Sequence, residues 1–449
     1  MRRTPPIVAL LLLVASLAGA SSGQPALAAA APSPRARFIV VFNDDVAAPG
    51  VLASTLAVGE GAVIHQVFRL GVTGYAATMS LSAAASLRAD PRVAYVVPDG
   101  KISAPAAKAA PNAATTQFVS SSVRRIEGTT SSAASGDGAG EVPINIAVLD
   151  SGVQPHHPDL NVAGSVDCTG HNRPTDVFGH GTFVAGVIGA KDNDFGTVGI
   201  VPGARIWSVR VLNHANAGDD SWLLCAIEWV TATRTDADPT NDIAVANMSL
   251  GGPGADDHHC GQVNHDPIHQ AICASVAAGV TYVAAAGNAA EDFNRSFPAN
   301  YDEVLTATGM ADDDGQPGGL GPNLDYGACT AGGTQRDDAP AGFSNFTHTK
   351  GDRDHMVAAP SVCIRSTYKD SQYAVWSGTS FASPLVSGTV ALCIFYGPCT
   401  NETPQQIVHR VVRDTQSFNR RHHAYGFRGD PLHNPTHRYY GYLIHAGSY

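Results

Sequence analysis

The sequence predicts an α/β fold in which helices cover both faces of a parallel sheet, preceded by a smaller α/β domain. Two observations carry this prediction. From residue 144 onward, short continuous apolar runs alternate with helical segments, which is typical of a parallel sheet buried on both faces. Before them, residues 37–100 form a patterned unit between segments rich in Ala and Pro. With 449 residues, the chain has room for two or three domains.

The composition excludes several classes of protein. With 44% hydrophobic and 15% charged residues, the chain is not a disordered, collagen-like or coiled-coil protein. The formal net charge of −11 comes without a basic stripe that could neutralise a phosphate backbone. Nucleic acid is therefore not an expected partner.

The N-terminus has the features of an export signal. Arginines precede an apolar run over residues 7–20, and Ala26-Leu27-Ala28 has the form of a signal-peptidase site. We therefore predict that residues 1–28 are a signal peptide and that the protein is secreted. The apolar run is shorter than the roughly 20 residues that span a bilayer, so a membrane anchor is not expected.

Both predicted domains contain recognisable strands and helices. In the small domain, Phe38–Phe42 and Val93–Val97 are β-rich, and Leu81–Ala89 has apolar residues at helical spacing. The large domain has four apolar runs that predict parallel strands: Ile146–Leu149, Ile206–Val211, Ile243–Met248 and Thr281–Ala286.

The eight cysteines all lie beyond residue 160, and in an exported chain an even number predicts up to four disulfides. We favour Cys260 with Cys273 and Cys393 with Cys399, because each pair closes a short loop. The sequence leaves the other pairings open. Bridges are preferred to a metal or redox role, since no Cys-x-x-Cys pair is present. The remaining cysteines are Cys168, Cys225, Cys329 and Cys363.

Three segments carry reactive side chains where functional groups gather in such a sheet. Asp150 ends an apolar strand, His180 stands between glycines before a predicted helix Phe183–Gly189, and Ser380 follows a glycine turn into another apolar helix. Taken alone, each of these three residues would be explained as part of a turn or as a helix cap. Together they form a nucleophilic triad, since a buried Asp can orient an imidazole that takes a serine proton.

The order Asp, His, Ser makes the chain resemble subtilisin-like serine proteases, in the broad group that includes proteinase K. The resemblance spans about residues 118–446. Chymotrypsin-like enzymes and α/β-hydrolases order the triad differently, and Ser380 lacks the Gly-x-Ser-x-Gly elbow of the latter. The resemblance implies that Asp150 orients His180, that His180 is the general base and acid, that Ser380 is the nucleophile and that Asn288 binds the oxyanion.

The same resemblance implies how a peptide is bound. Ser249, Leu250 and Gly251 match one wall of the S1 pocket, and Asn216, Ala217 and Gly218 match the edge strand beside which the substrate pairs. Ala286 and Gly287, after Ala285, match the other wall. We see no acidic residue placed there to select Lys or Arg, so broad specificity with an apolar or aromatic preference is predicted. Phe183 and Leu385 stand where the family usually has histidine, and we expect them to change packing rather than chemistry.

Residues 37–100 resemble the inhibitory, ferredoxin-like propeptide of the family, which implies a zymogen. Residues 101–117 are then the linker with the processing site, and residues 118–449 are the catalytic domain, ending in a strand Tyr442–Ile444. Expected partners are protein and peptide substrates and the chain's own propeptide, and a monomer is expected. No cofactor is required. Residues 311–342 could hold a structural calcium, but a solvated loop is preferred and no metal ligand is assigned.

Two rival functions remain. A catalytically inactive relative would bind peptides through the same groove, but it would be expected to have lost at least one of Asp150, His180, Asn288 and Ser380. A serine esterase of another fold is disfavoured by the order of the triad.

Overall fold

The structure, a computed structural model, describes residues 34–104, 110–112, 116–322, 335–433 and 437–449. The predicted signal peptide, residues 1–28, lies outside the described residues, as do parts of the linker 101–117 and of the segment 311–342.

The first domain is a four-stranded antiparallel sheet with two helices on one face. Its strand order is β2-β3-β1-β4, with all neighbours antiparallel. The β-α-β-β-α-β chain order is the ferredoxin-like arrangement predicted for residues 37–100. The elements are β1 (Arg35–Phe42), α1 (Pro49–Gly59), β2 (Val63–Phe68), β3 (Gly74–Ser80), α2 (Leu81–Arg88) and β4 (Val93–Pro98).

The rest of the described chain contains the large domain. Its elements are β5 (Lys101–Ser103), β6 (Ala110–Asn112), α3 (Ser121–Arg125), β7 (Asn145–Asp150), β8 (Val162–Asp167), α4 (His180–Gly189), β9 (Arg205–Arg210), β10 (Ala217–Asp219), α5 (Asp220–Thr233), β11 (Val245–Met248), β12 (Gly252–Pro253), α6 (Pro267–Ala277), β13 (Thr281–Ala285), β14 (Ser296–Phe297), β15 (Val304–Ala311), β16 (Ala339–Pro340), β17 (Met356–Pro360), β18 (Ile364–Tyr368), β19 (Gln372–Trp376), α7 (Thr379–Phe395) and α8 (Pro404–Arg421).

The central sheet confirms the predicted fold class. Its order is β16-β15-β13-β11-β7-β9-β8, with β17 also beside β15, and the pairs are parallel except β15 with β16. Helices α4 and α7 pack on one face and α5 and α6 on the other. In the part of the chain that the structure describes, no helix is both long enough and apolar enough to cross a bilayer.

One predicted strand is wrong. Tyr442–Ile444 forms a single parallel bridge, between Leu443 and Ala358 of β17. The backbone takes a left-handed turn at Gly441, with φ of 83°, and a 3-10 helix begins at Ala446. The chain therefore bends away on both sides before a ladder can form.

Both favoured disulfides are confirmed, Cys260–Cys273 and Cys393–Cys399. A third bridge joins Cys168, after β8, to Cys225 in α5 across 57 residues. Cys363 is also disulfide-bonded, and Cys329 lies outside the described residues.

Candidate active site

Asp150 and His180 meet at the carboxyl end of the central sheet. Asp150 is the last residue of β7 and His180 the first of α4. The imidazole Nδ1 lies 2.9 Å from Asp150 Oδ1 and 2.8 Å from Oδ2, and both side chains are fully buried. Because a carboxylate only accepts, Nδ1 carries the proton, and Nε2 of the neutral ring is left with its lone pair.

The start of α4 is fixed by a carboxylate that the sequence analysis missed. Asp176 Oδ1 accepts hydrogen bonds from the backbone N–H of Gly179 and the hydroxyl of Ser151, and Oδ2 accepts from the N–H of Thr182. Burial raises the pKa of Asp176 although these donors oppose the shift. The available signal was an Asp three residues before Gly179, where an Asp commonly caps a turn.

Gly179 is required because its φ is 112° and a Cβ would lie 2.3 Å from the ring of Tyr368. This backbone conformation lets the chain enter α4 with His180 facing Asp150.

An aromatic cluster surrounds the His180 ring. Trp376 meets it edge-on at 5.4 Å between ring centroids, and Phe381 lies at 5.5 Å. Phe183 packs on Phe381 at 4.5 Å and on Trp376 at 5.8 Å. The phenyl ring of Phe183 thus completes the apolar shell around His180. Leu385, on α7, is fully buried in the hydrophobic core. The sequence analysis missed Trp376 because this residue lies far from His180 in the sequence, and only the folded chain brings the two rings together.

Ser380 lies in the first turn of α7, beside the end of β11. Its Oγ donates to the carbonyl of Ser249 at 3.3 Å, and Ser249 Oγ donates to the carbonyl of Ser380 at 2.7 Å. Asn247 in β11 accepts from the hydroxyls of Ser383 and Ser387. These bonds fasten the serine-bearing helix to the strand. His180 Nε2 has no hydrogen-bond partner among the residues that the structure describes.

Asn288 follows β13 and is held from one side. Its Oδ1 accepts from the Thr379 N–H at 2.8 Å and the Thr379 hydroxyl at 3.0 Å. The carbonyl end of the amide is therefore engaged, and its NH₂ end is left to donate elsewhere. Gly287 must be glycine, since a Cβ at its φ of 103° would lie 2.5 Å from Asn345 Nδ2.

A pocket of about 400 Å³ opens beside Ser380 and Asn288. The predicted wall residues Ser249, Leu250, Gly251, Ala286 and Gly287 all line it. One expectation was wrong: an acidic side chain, that of Glu291, also lines the pocket, together with Arg295. Both are exposed; Glu291 lies in the loop that follows Asn288, and Arg295 ends the 3-10 helix Phe293–Arg295 after it. The sequence analysis did not consider this segment.

The predicted edge strand already pairs with another part of the chain. β5 runs antiparallel to β10, which contains Ala217 and Gly218, and the Ala104 N–H donates to the carbonyl of Asn216 at 3.1 Å. On the other side of β5, Ser103 and Gly251 exchange two backbone hydrogen bonds, of 2.9 and 3.0 Å. Ser103 and Ala104 reach the pocket lining.

The family comparison agrees with this geometry. Residues 143–427, more than half of the chain, match the model of the subtilase family. The chain belongs to the subtilase family. As a subtilase it is a serine-type endopeptidase, a hydrolase of peptide bonds in proteins and peptides.

Individual relatives extend the similarity of this subtilase beyond the matched domain. Subtilisin E of Bacillus subtilis is 29% identical over 385 residues, covering 84% of this chain and 85% of that protein. Subtilisin DY of Bacillus licheniformis is 30% identical over 255 residues, covering 56% and 76%. A solved structure, a cold adapted subtilisin-like serine proteinase, aligns with a TM-score of 0.48 and 24% identity, over 69% of this chain and 90% of that one.

A buried arginine of α3, Arg125, contacts the segment of this subtilase that was considered for calcium. Asp312, Asp314 and Asp337 place carboxylate oxygens within 4.8 Å of one another. The fully buried guanidinium of Arg125 lies 3.5 Å from Asp312 and 2.8 Å from Asp338. Residues 323–334 of this segment lie outside the described residues, and no metal ligand is assigned.

Proposed function

We propose that this subtilase is a secreted endopeptidase made as a zymogen, in which Asp150, His180 and Ser380 are the catalytic triad and Asn288 completes the oxyanion hole. The observation that carries the proposal is the geometry of His180. Its Nδ1–H is held by both oxygens of a buried carboxylate. Its Nε2 has no hydrogen-bond partner within the described part of the chain, and the ring packs 5.5 Å from that of Phe381, the residue after Ser380.

In the proposed reaction, the hydroxyl of Ser380 leaves its long bond to Ser249 and turns to His180 Nε2. Oγ attacks the substrate carbonyl carbon while Nε2 takes the hydroxyl proton, and Asp150 stabilises the imidazolium. The imidazolium then protonates the leaving amine, and the acyl-enzyme remains. Water, deprotonated by the same Nε2, hydrolyses this ester. The apolar rings around His180 exclude competing water and strengthen its interaction with Asp150.

Asn288 is expected to matter in the transition state rather than in substrate binding. With its oxygen held by Thr379, the amide NH₂ and the Ser380 backbone N–H would both donate to the developing oxyanion. We expect Asn288→Ala to lower kcat by about 10²–10³ with little change in KM, the range measured for this substitution type in a subtilisin. Steady-state kinetics on a chromogenic peptide measures this effect.

The control for that variant is Asn294→Ala, six residues along and exposed. It should retain the kinetic constants of the unaltered enzyme. A fall in kcat of less than threefold for Asn288→Ala would exclude an oxyanion role.

For the inhibitory role of residues 37–100, support comes from their contacts with Asp219 and α5 and from the position of the residues that follow them. The Asp99 carboxylate accepts from the backbone N–H and hydroxyl of Ser221 at the start of α5, and Arg37 bridges Asp99 and Asp219. Burial, together with the charges of Asp99 and Asp266, raises the pKa of Asp220 to about 7. Residues 101–104, which follow directly, lie between β10 and Gly251, in the cleft where we expect a substrate strand to pair.

The processing bond should follow the strand that pairs in the cleft. We expect the mature protein to begin between residues 105 and 117, as read by N-terminal sequencing and intact mass. Ser103→Pro removes the N–H that donates to Gly251 and should slow processing at least tenfold in a time course, since proline cannot complete the ladder. Ser103→Ala, which keeps the N–H, is the matched control.

If the mature protein begins before residue 105, or if Ser103→Pro is processed at the rate of Ser103→Ala, the substrate-like role of β5 is wrong. Export is tested by recovering the mature form from the medium.

A further inference from the structure

In the large domain, the side chains of Asp256, His258 and Asp302 lie together, and a fourth side chain, that of His355, lies beside Asp302. Asp256 and His258 lie in the loop after β12, Asp302 lies just before β15, and His355 ends the 3-10 helix Gly351–His355. None of the four belongs to the site described above.

The first three have the spacing of metal ligands. One ligand atom from each of Asp256, His258 and Asp302 lies within 4.8 Å of the other two. His258 Nδ1 is 3.4 Å from Asp256 Oδ2 and 2.8 Å from Asp302 Oδ2. Ligands at 2.0–2.2 Å from a tetrahedral ion lie about 3.4 Å apart, so small rotations would admit an ion.

His355 is the independent observation that points to a ligand. Its side chain is 3% exposed, and its Nδ1–H donates to the carbonyl of Val304 at 2.8 Å. That bond fixes the tautomer and leaves Nε2 with a bare lone pair. Nε2 has no hydrogen-bond partner among the described residues, and it lies 4.0 Å from Asp302 Oδ1. A ring fixed through one nitrogen by a backbone carbonyl, with the other nitrogen free, is the usual arrangement of a metal-binding histidine.

A second layer of contacts orients Asp256. Its Oδ1 accepts from the His258 N–H at 2.7 Å and its Oδ2 from the Asp302 N–H at 3.2 Å. His269, fully buried, faces the same carboxylate with Nδ1 3.5 Å from Oδ1, while its Nε2 lies 2.8 Å from Glu303. The carboxylate is thus held in place before any ion binds.

We propose that Asp256, His258, Asp302 and His355 form a binding site for a divalent transition-metal ion of the zinc class. Two imidazoles and two carboxylates match the donors that Zn²⁺ takes in four-coordinate sites, whereas Ca²⁺ selects oxygen ligands. The acidic group around Asp312 differs, because it offers only oxygen and already has Arg125 beside it.

A bound ion would join three segments that are far apart in the sequence. The loop with Asp256 continues directly from Gly252 and Pro253, which line the peptide pocket. An ion bound there would restrain the loop that continues from this wall, through residues that do not themselves line the pocket.

Co²⁺ and Zn²⁺ titrations test the proposal on the full chain carrying Ser380→Ala, which prevents self-digestion if Ser380 is the nucleophile. After treatment with a chelator, the protein should bind one Co²⁺ with the strong visible absorption of four-coordinate cobalt, and Zn²⁺ should displace it. His258→Ala and Asp302→Asn should each weaken binding at least about 100-fold. His259→Ala is the matched control, since that ring is exposed and its Nδ1 lies 2.8 Å from the carbonyl oxygen of Asp257.

Near-UV circular dichroism shows whether each variant is folded. Absence of saturable one-ion binding, tighter binding of Ca²⁺ than of Zn²⁺, or equal affinity in His258→Ala and the control would overturn the site. His355→Gln should weaken the cobalt absorption, because water would replace the fourth ligand. An unchanged spectrum in that variant would remove His355 from the proposed ligand set.

Discussion

Replacing Ser380 by alanine is expected to lower kcat for a chromogenic peptide by about 10⁶, the factor measured when this type of nucleophile is removed from a subtilisin. If Ser380 is the nucleophile, the substitution deletes the atom that would form the acyl-enzyme, so only oxyanion stabilisation and substrate orientation would remain. It also removes the long hydroxyl contact to Ser249, which adds little to stability. The variant should therefore unfold at nearly the same temperature as the unaltered chain.

Because Ser380→Ala should not process itself, both proteins must be cut in the linker by an added protease before kinetics are compared. Ser417→Ala is the control, since Ser417 is an exposed serine of α8. It should remain active. Peptide hydrolysis by Ser380→Ala above one thousandth of the normal rate would mean that another group is the nucleophile. Inactivity of the unaltered chain after cutting would favour a peptide-binding relative without catalysis.

The second large effect is expected for Asp150→Asn, about 10⁴ in kcat. The two side chains are nearly isosteric, but an amide NH₂ would donate to His180 Nδ1 and force the proton onto Nε2. That nitrogen could then no longer accept the Ser380 proton. The loss should appear in kcat rather than in KM, because no contact with the peptide is removed.

Kinetics of the cut protein near neutral pH measure this effect, and Asp238→Asn, an exposed carboxylate, serves as its control. A loss of less than tenfold would show that Asp150 does not set the tautomer of His180.

The sequence predicts the triad, the fold class and the short disulfides because their signals are local. Asp150, His180 and Ser380 each stand at a strand end or helix start whose pattern is readable within a few residues, and the close cysteines leave little choice of partner. Neither the partner of Cys168 nor the contact of Trp376 with His180 could be read in this way. Both depend on tertiary packing between segments that are far apart in the sequence, and Trp376 lies in β19, in a separate sheet with β18 and β6.

Two corrections have the same physical origin. The end of the chain has strand-like composition, but the bends at Gly441 and Ala446 limit it to one bridge. Glu291 lines the pocket because of the path of the loop after Asn288, and the local sequence pattern does not predict that path. The cluster of Asp256, Asp302 and His355 likewise has no sequence motif, since its members come from segments that only tertiary packing brings together.

Pairing of β5 in the cleft has a kinetic consequence. A strand tethered to its own binding site meets it at a local concentration that dilution cannot change. If this strand carries the processing bond, the first cut is a first-order event whose half-time is the same in a dilute culture and in a concentrated extract. Release of the severed domain would, in contrast, be a bimolecular equilibrium, so the volume surrounding the protein would set the fraction of free enzyme.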